Sequence, residues 1–155
     1  VVASTYHDFS EDLIGSMKFF AKTIHGVDDD VRLTNRLYIP RSRLRGFNTY
    51  QVGPKDGDDY IGGNYLTTVS FEAQLPNLLP ESYRTDVSVF LDTANIWGVD
   101  YSDSIDETDK IRSAVGVSAN IFTTIGPLSF TVAQDITKHA SDTTETFNFR
   151  LGTSF

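Results

Sequence analysis

Histidine, carboxylate and hydroxyl side chains are the groups in this chain that could bind a metal, move a proton or attack an electrophile, and their spacing supports none of these. His7, His25 and His139 stand far apart, without the close pairing that turns two imidazoles toward one ion. Asp28-Asp29-Asp30 and Asp56-Gly57-Asp58-Asp59 offer carboxylates for calcium but lack the distal glutamate of an EF-hand loop, so they read as solvated loop charge. No serine lies in Gly-x-Ser-x-Gly, and the absence of cysteine removes thiol nucleophiles, disulfides and Cys-based zinc sites. The expectation is a protein with no catalytic residue, no metal and no cofactor. What remains are charged groups that could hold something in place. Glu72 and Asp92 fall in the polar parity of two consecutive alternating segments, and an acidic group on an enclosed face is costly without a cation. Arg32, Arg36, Arg41, Arg43 and Arg45 crowd the long connection upstream of them.

The segments that position these groups alternate with the period of two expected of β-strands. Tyr65 to Leu75 sends Tyr65, Thr67, Val69, Phe71, Ala73 and Leu75 one way and Thr68, Ser70, Glu72 and Gln74 the other. Arg84 to Trp97 sets Val87, Val89, Leu91 and Trp97 against Asp86, Ser88 and Asp92, and Lys110 to Phe122 sets Val115, Val117, Ala119 and Ile121 against Arg112, Gly116, Ser118 and Asn120. Leu13 to Ile24, Leu128 to Gln134 and a partial strand before His7 follow the same scheme, with a turn at Ile125-Gly126-Pro127. The connections alternate in character. Pro76 to Pro80 and Ile125 to Pro127 are short, whereas residues 26–62, 100–109 and 135–144 are long and polar.

The last nine residues, Phe147-Asn148-Phe149-Arg150-Leu151-Gly152-Thr153-Ser154-Phe155, form an alternating strand that ends on an aromatic. An unpaired edge with Phe147, Phe149, Leu151 and Phe155 on its outer face invites aggregation in a water-soluble domain. In a transmembrane β-barrel the same strand pairs within the wall, its odd positions face lipid and Asn148, Arg150 and Ser154 face the lumen. Composition agrees. Hydrophobic residues are 39% of the 155 and no apolar run approaches the ~20 residues of a membrane helix, but a barrel strand shows only half its side chains to lipid. A net charge of −8 disfavours nucleic acid as a partner. The expected fold is all-β: an antiparallel transmembrane β-barrel portion of six to seven strands. Residues 1–155 would be the C-terminal part of the barrel domain of a longer chain, since Val1-Val2-Ala3 opens without Met or a signal peptide.

Arg45-Gly46-Phe47, Gly53-Pro54, Gly62-Gly63-Asn64 before the next strand, Phe90-Leu91-Asp92 through Trp97, Gly126-Pro127-Leu128 and the ending Phe147 to Phe155 occur here in order. This set resembles the C-terminal half of the barrel of the BamA family, the assembly factors that fold and insert outer-membrane proteins. The resemblance implies a roughly 16-stranded barrel in the bacterial outer membrane, preceded by periplasmic POTRA domains, with those domains and the N-terminal half of the barrel absent from this chain. It implies that the connection 26–62 folds back into the lumen, that Arg45 pairs with Asp92 and Glu72 on the wall, that Gly46 permits a tight bend and that Phe47 anchors the tip. It implies a seam at the terminal strand, where Gly152 weakens pairing and Phe155 completes an assembly signal. The partners implied are unfolded outer-membrane protein clients, accessory outer-membrane lipoproteins and the lipid bilayer. TamA-like and two-partner-secretion relatives would share these motifs and differ in their upstream domains. A passive porin or receptor barrel and an outer-membrane hydrolase are the other classes, the last without any candidate triad.

Overall fold

The computed structural model of the chain describes residues 1–26, 36–40, 43–48, 51–56, 59–98, 111–138 and 142–151. Seven strands form one sheet: β1 (Val2–Ser10), β2 (Leu13–Thr23), β5 (Tyr65–Leu75), β6 (Thr85–Trp97), β7 (Arg112–Thr123), β8 (Gly126–Thr137) and β9 (Phe147–Leu151). Each pairs antiparallel with its neighbour in chain order, so β1 and β9 are the edges. Two short strands, β3 (Lys55–Asp56) and β4 (Asp59–Tyr60), pair within the connection between β2 and β5. A single 3-10 turn, Glu81–Tyr83, lies between β5 and β6, and there is no α-helix among the described residues.

Alternation in the sequence predicts most strand bounds to within a residue or two; β1, expected as a partial strand before His7, runs on to Ser10, and β8 departs at both ends. The tight turn falls at residues 124–125, so Gly126 and Pro127 already belong to the strand, opposite Thr123 and Phe122. Proline fits there because it has no N–H to lend and sits at the strand's start. The other end of β8 runs past Gln134 to Thr137, carried by a register shift against Ser113 and Ala114.

The two faces of the sheet invert the arrangement of a water-soluble domain. One face carries apolar rows running across the strands: Met17, Phe71, Leu91 and Val115 are successive partners, as are Val89, Val117, Val132 and Phe147, and all are exposed. Such contiguous apolar surface suits lipid rather than water. The hydrophobic core lies on the opposite face, where Leu66, Ala94, Ile96 and Ala114 of the sheet meet Leu37, Ile39, Leu44, Phe47 and Val52 of the β2–β5 connection. The inner parity, polar by sequence at Ser70, Glu72, Ser88 and Asp92, is therefore mixed. Phe20, Leu66, Phe90, Ala94 and Ile96 also point inward because the folded-back connection, not water, covers them. Nearer the β7–β8 turn the inner face stays polar, with Ser129 donating to Asn120 at 2.7 Å and Ser118 bonded to Thr131 at 3.3 Å.

Candidate functional site

The connection between β2 and β5 reaches the sheet through residues 43–48, and Arg45 makes the principal contact. Its guanidinium meets Asp92 edge-on, Nε donating to Oδ2 at 2.7 Å and Nη2 to Oδ1 at 2.9 Å, while Nη1 donates to Glu72 Oε2 at 2.7 Å. The Arg45 backbone N–H adds a fourth bond, to Asp92 Oδ2 at 3.0 Å. The planar fork matches a carboxylate in two parallel bonds, which a lysine would not do. Beneath it lies the ring of Phe90, 3.6 Å from the guanidinium carbon, a cation–π contact. Asp92 is fully buried, whereas the Arg45 and Glu72 side chains retain 19% and 16% of their exposure. Burial works to lower the Arg45 pKa, but the hydrogen bond and charge of Asp92, then those of Glu72, outweigh it and raise the value above that of an ordinary arginine.

Gly46 follows with φ of 93°, in the region that side chains avoid. A β-carbon there would lie 2.9 Å from Ala133 Cβ and 3.3 Å from Ala114 Cβ, so the loop backbone rests directly on β7 and β8. Gly53, with φ of 109°, makes a similar approach over Ile96, whose Cγ2 would sit 2.6 Å from an added β-carbon. Phe47 is buried at 3% exposure and forms a β-bridge with Thr144. Arg43 stacks over Phe20 of β2, 4.1 Å from the ring centre.

The structure thus brings together Arg45, Gly46, Phe47, Glu72 and Asp92. Phe147 and Phe149 lie apart from them on β9, on the exposed outer face, close to Phe130 of β8. Leu151 closes β9 in register with Leu128. Gly152 and Phe155 lie outside the described residues, as do His139, Asp28 to Asp30 and the acidic stretch 100–109. His7 packs edge-on against Phe9, and His25 bonds Thr23 at 3.1 Å beside the stacked pair Tyr65 and Trp97. Among the described residues no three metal-ligating side chains converge.

A second ion pair escapes the sequence reading. Arg112, the first residue of β7, donates from Nε to Asp142 Oδ2 at 2.8 Å, and both side chains are fully buried. Arg112 Nη1 also donates to Asn95 of β6 at 3.1 Å, and the Gly53 backbone N–H donates to Asp142 Oδ1 at 3.3 Å. The inward parity of Arg112 is the signal available in the sequence. Asp142 gives none, because it sits in a stretch whose polarity resembles that of a solvated loop.

Residues 1–155 match the Omp85 superfamily domain. The outer membrane protein assembly factor BamA of Neorickettsia risticii is 26% identical, over 95% of this chain and 20% of its own length. The protein of the same name from Neisseria meningitidis serogroup B is 27% identical, over 72% of this chain and 17% of its own. The crystal structure of BamA from Haemophilus ducreyi lacking POTRA domains 1-3 superposes with a TM-score of 0.81 at 26% identity, covering 94% of this chain and 32% of that one. This chain therefore spans about a fifth of the length of the curated relatives it matches.

Proposed function

The chain belongs to the Omp85 superfamily of outer-membrane β-barrel proteins, and on that premise we propose that it is the barrel portion of a factor that folds and inserts β-barrel proteins into the bacterial outer membrane. The observation that carries the reading is the Arg45 clamp beneath an apolar outer face: a cation held on the inner wall of a lipid-facing sheet by Asp92 and Glu72. The work is conformational rather than covalent. A client strand entering lipid with unpaired backbone groups faces a penalty of about 2–7 kcal/mol for each. An assembly factor lowers that barrier by offering a strand edge for pairing, and the folding of the client drives the process. β9 pairs with β8 from Phe147 to Leu151, and its other edge has no partner strand among the described residues. The partners in this reading are unfolded outer-membrane clients, accessory lipoproteins and the bilayer.

Depletion and complementation of the full-length protein test the proposal. An Arg45→Glu copy sets three carboxylates together and should fail to restore outer-membrane barrel proteins, while adding Asp92→Arg should recover part of the function. Wild-type assembly by Arg45→Glu alone, or a depletion phenotype confined to solute uptake, refutes the reading in favour of a passive barrel.

A further inference from the structure

Residues 142–146, which lead into β9, bond to the folded-back loop before they bond to β8. The Asn48 N–H donates to Thr143 O at 2.9 Å, the Thr143 N–H to Gln51 O at 3.0 Å and the Glu145 N–H to Gly46 O at 2.8 Å, around the Phe47–Thr144 bridge. Pairing then passes to β8, with the Ala133 N–H donating to Thr146 O at 2.8 Å. The last strand is thus continuous with a strand-like segment whose partner is the loop. At its root, the Asp142 carboxylate gathers Arg112 of β7 and the Gly53 N–H of the loop, and Arg112 in turn holds Asn95 of β6.

We propose that Arg112 and Asp142 are positioning residues that couple the folded-back loop to the last strand, so that the state of the Arg45 clamp and the hold on the start of β9 are linked. Two contacts sharing one segment bias each other reciprocally. A loop withdrawn from Asp92 and Glu72 takes with it the hydrogen-bond partners of Thr143 and Glu145, and a freed Asp142 lets go of the loop at Gly53. This coupling rests on the assembly reading for its purpose, since β9 carries the edge offered to a client.

Hydrogen–deuterium exchange of the full-length protein in lipid nanodiscs tests it at the backbone amides of Thr143, Glu145 and β9. Arg112→Met should speed exchange at these amides on the order of 100- to 1,000-fold, the scale of losing one partner of a buried charged pair. Arg112→Lys, which keeps the charge, should recover part of the protection. Arg45→Ala should speed exchange at the start of β9 as well, although its side chain does not touch that strand. Amides flanking the β5–β6 turn, from Ala73 to Val87, which touch neither arginine, should change least. If Arg112→Met does not fold, Asp142→Asn gives the same reading. Unchanged protection of Thr143, Glu145 and β9 in these variants overturns the proposal, as does a rise equally large at the β5–β6 turn. Exchange is read on the folded barrel, so its outcome is independent of whether the protein assembles clients, which depletion tests separately.

Discussion

Arg45 stands on the loop and reaches carboxylates of the sheet, whereas Arg112 stands on the sheet and reaches a carboxylate of the segment before β9. The first pair keeps some contact with solvent, at 19% exposure of the arginine, and the second keeps none. That difference separates two jobs. A cation on a loop can leave, and water can then solvate Asp92 and Glu72 in its place. A cation fixed on a strand cannot leave, so Arg112 sets where the segment carrying Asp142 must lie. Both obey the rule that a charge away from water needs a partner with hydrogen bonds, and neither is strong evidence of net stability by itself.

Removing one partner of either pair should give the largest effects. Asp92→Ala deletes the acceptor of three Arg45 hydrogen bonds, and Arg112→Met removes the guanidinium that meets the buried Asp142 carboxylate. Each should lower stability by about 3–5 kcal/mol, read as the urea midpoint of the full-length protein refolded into lipid vesicles. Glu72→Gln, at a partly exposed position, should lose only about 1 kcal/mol. An Asp92→Ala loss as small as that of Glu72→Gln would break the comparison, because it would mean that the loop clamp is hydrated and unlike the Arg112 pair.

The two pairs also differ in how far the sequence discloses them. β5 is legible because its alternation is unbroken from Thr68 to Leu75, and the inward parity of Glu72 follows from it, as that of Asp92 follows from the alternation of β6. Arg45 stands out through Gly46 and Phe47, residue types that a tight, packed loop tip demands. The core was not legible. Leu66, Phe90 and Ile96 interrupt the polar parity, and only the loop folded over them explains why they are buried. Asp142 was hidden for a related reason: local polarity reports affinity for water, and a buried ion pair satisfies a polar residue without any.

Gly46→Ala should have the next largest effect, because it strains the joint between the two clamps without removing a charge. The substitution forces a side chain to φ of 93° and drives its β-carbon to 2.9 Å from Ala133 Cβ. The two penalties together should come to about 1–3 kcal/mol in the same refolding measurement. Adding Ala133→Gly removes the clash and leaves the backbone strain, so the double variant should recover part of the loss. No recovery would place the whole effect in the backbone, and the loop tip would then not be pressed against β8.

The smallest expected effect is that of alkaline pH on the Arg45 clamp, and its smallness is informative. Asp92 and Glu72 raise the folded-state pKa of Arg45 above its unfolded value. The stability this contributes is complete below the unfolded pKa and is lost only as pH rises through the higher folded value, beyond the ordinary arginine range. The Arg45–Asp92 coupling energy, from a double-mutant cycle of Arg45→Ala and Asp92→Ala, should therefore agree at pH 7 and pH 10 within about 0.5 kcal/mol. Arg45→Lys replaces this group with one whose ordinary pKa is about 10.4, and its coupling to Asp92 should fade as pH climbs past the lysine range. A wild-type coupling that already weakens by pH 10 would mean that something other than the guanidinium titrates in the clamp. The loop would then be held by a switchable charge, and its contrast with the buried Arg112 pair would be one of chemistry as well as of place.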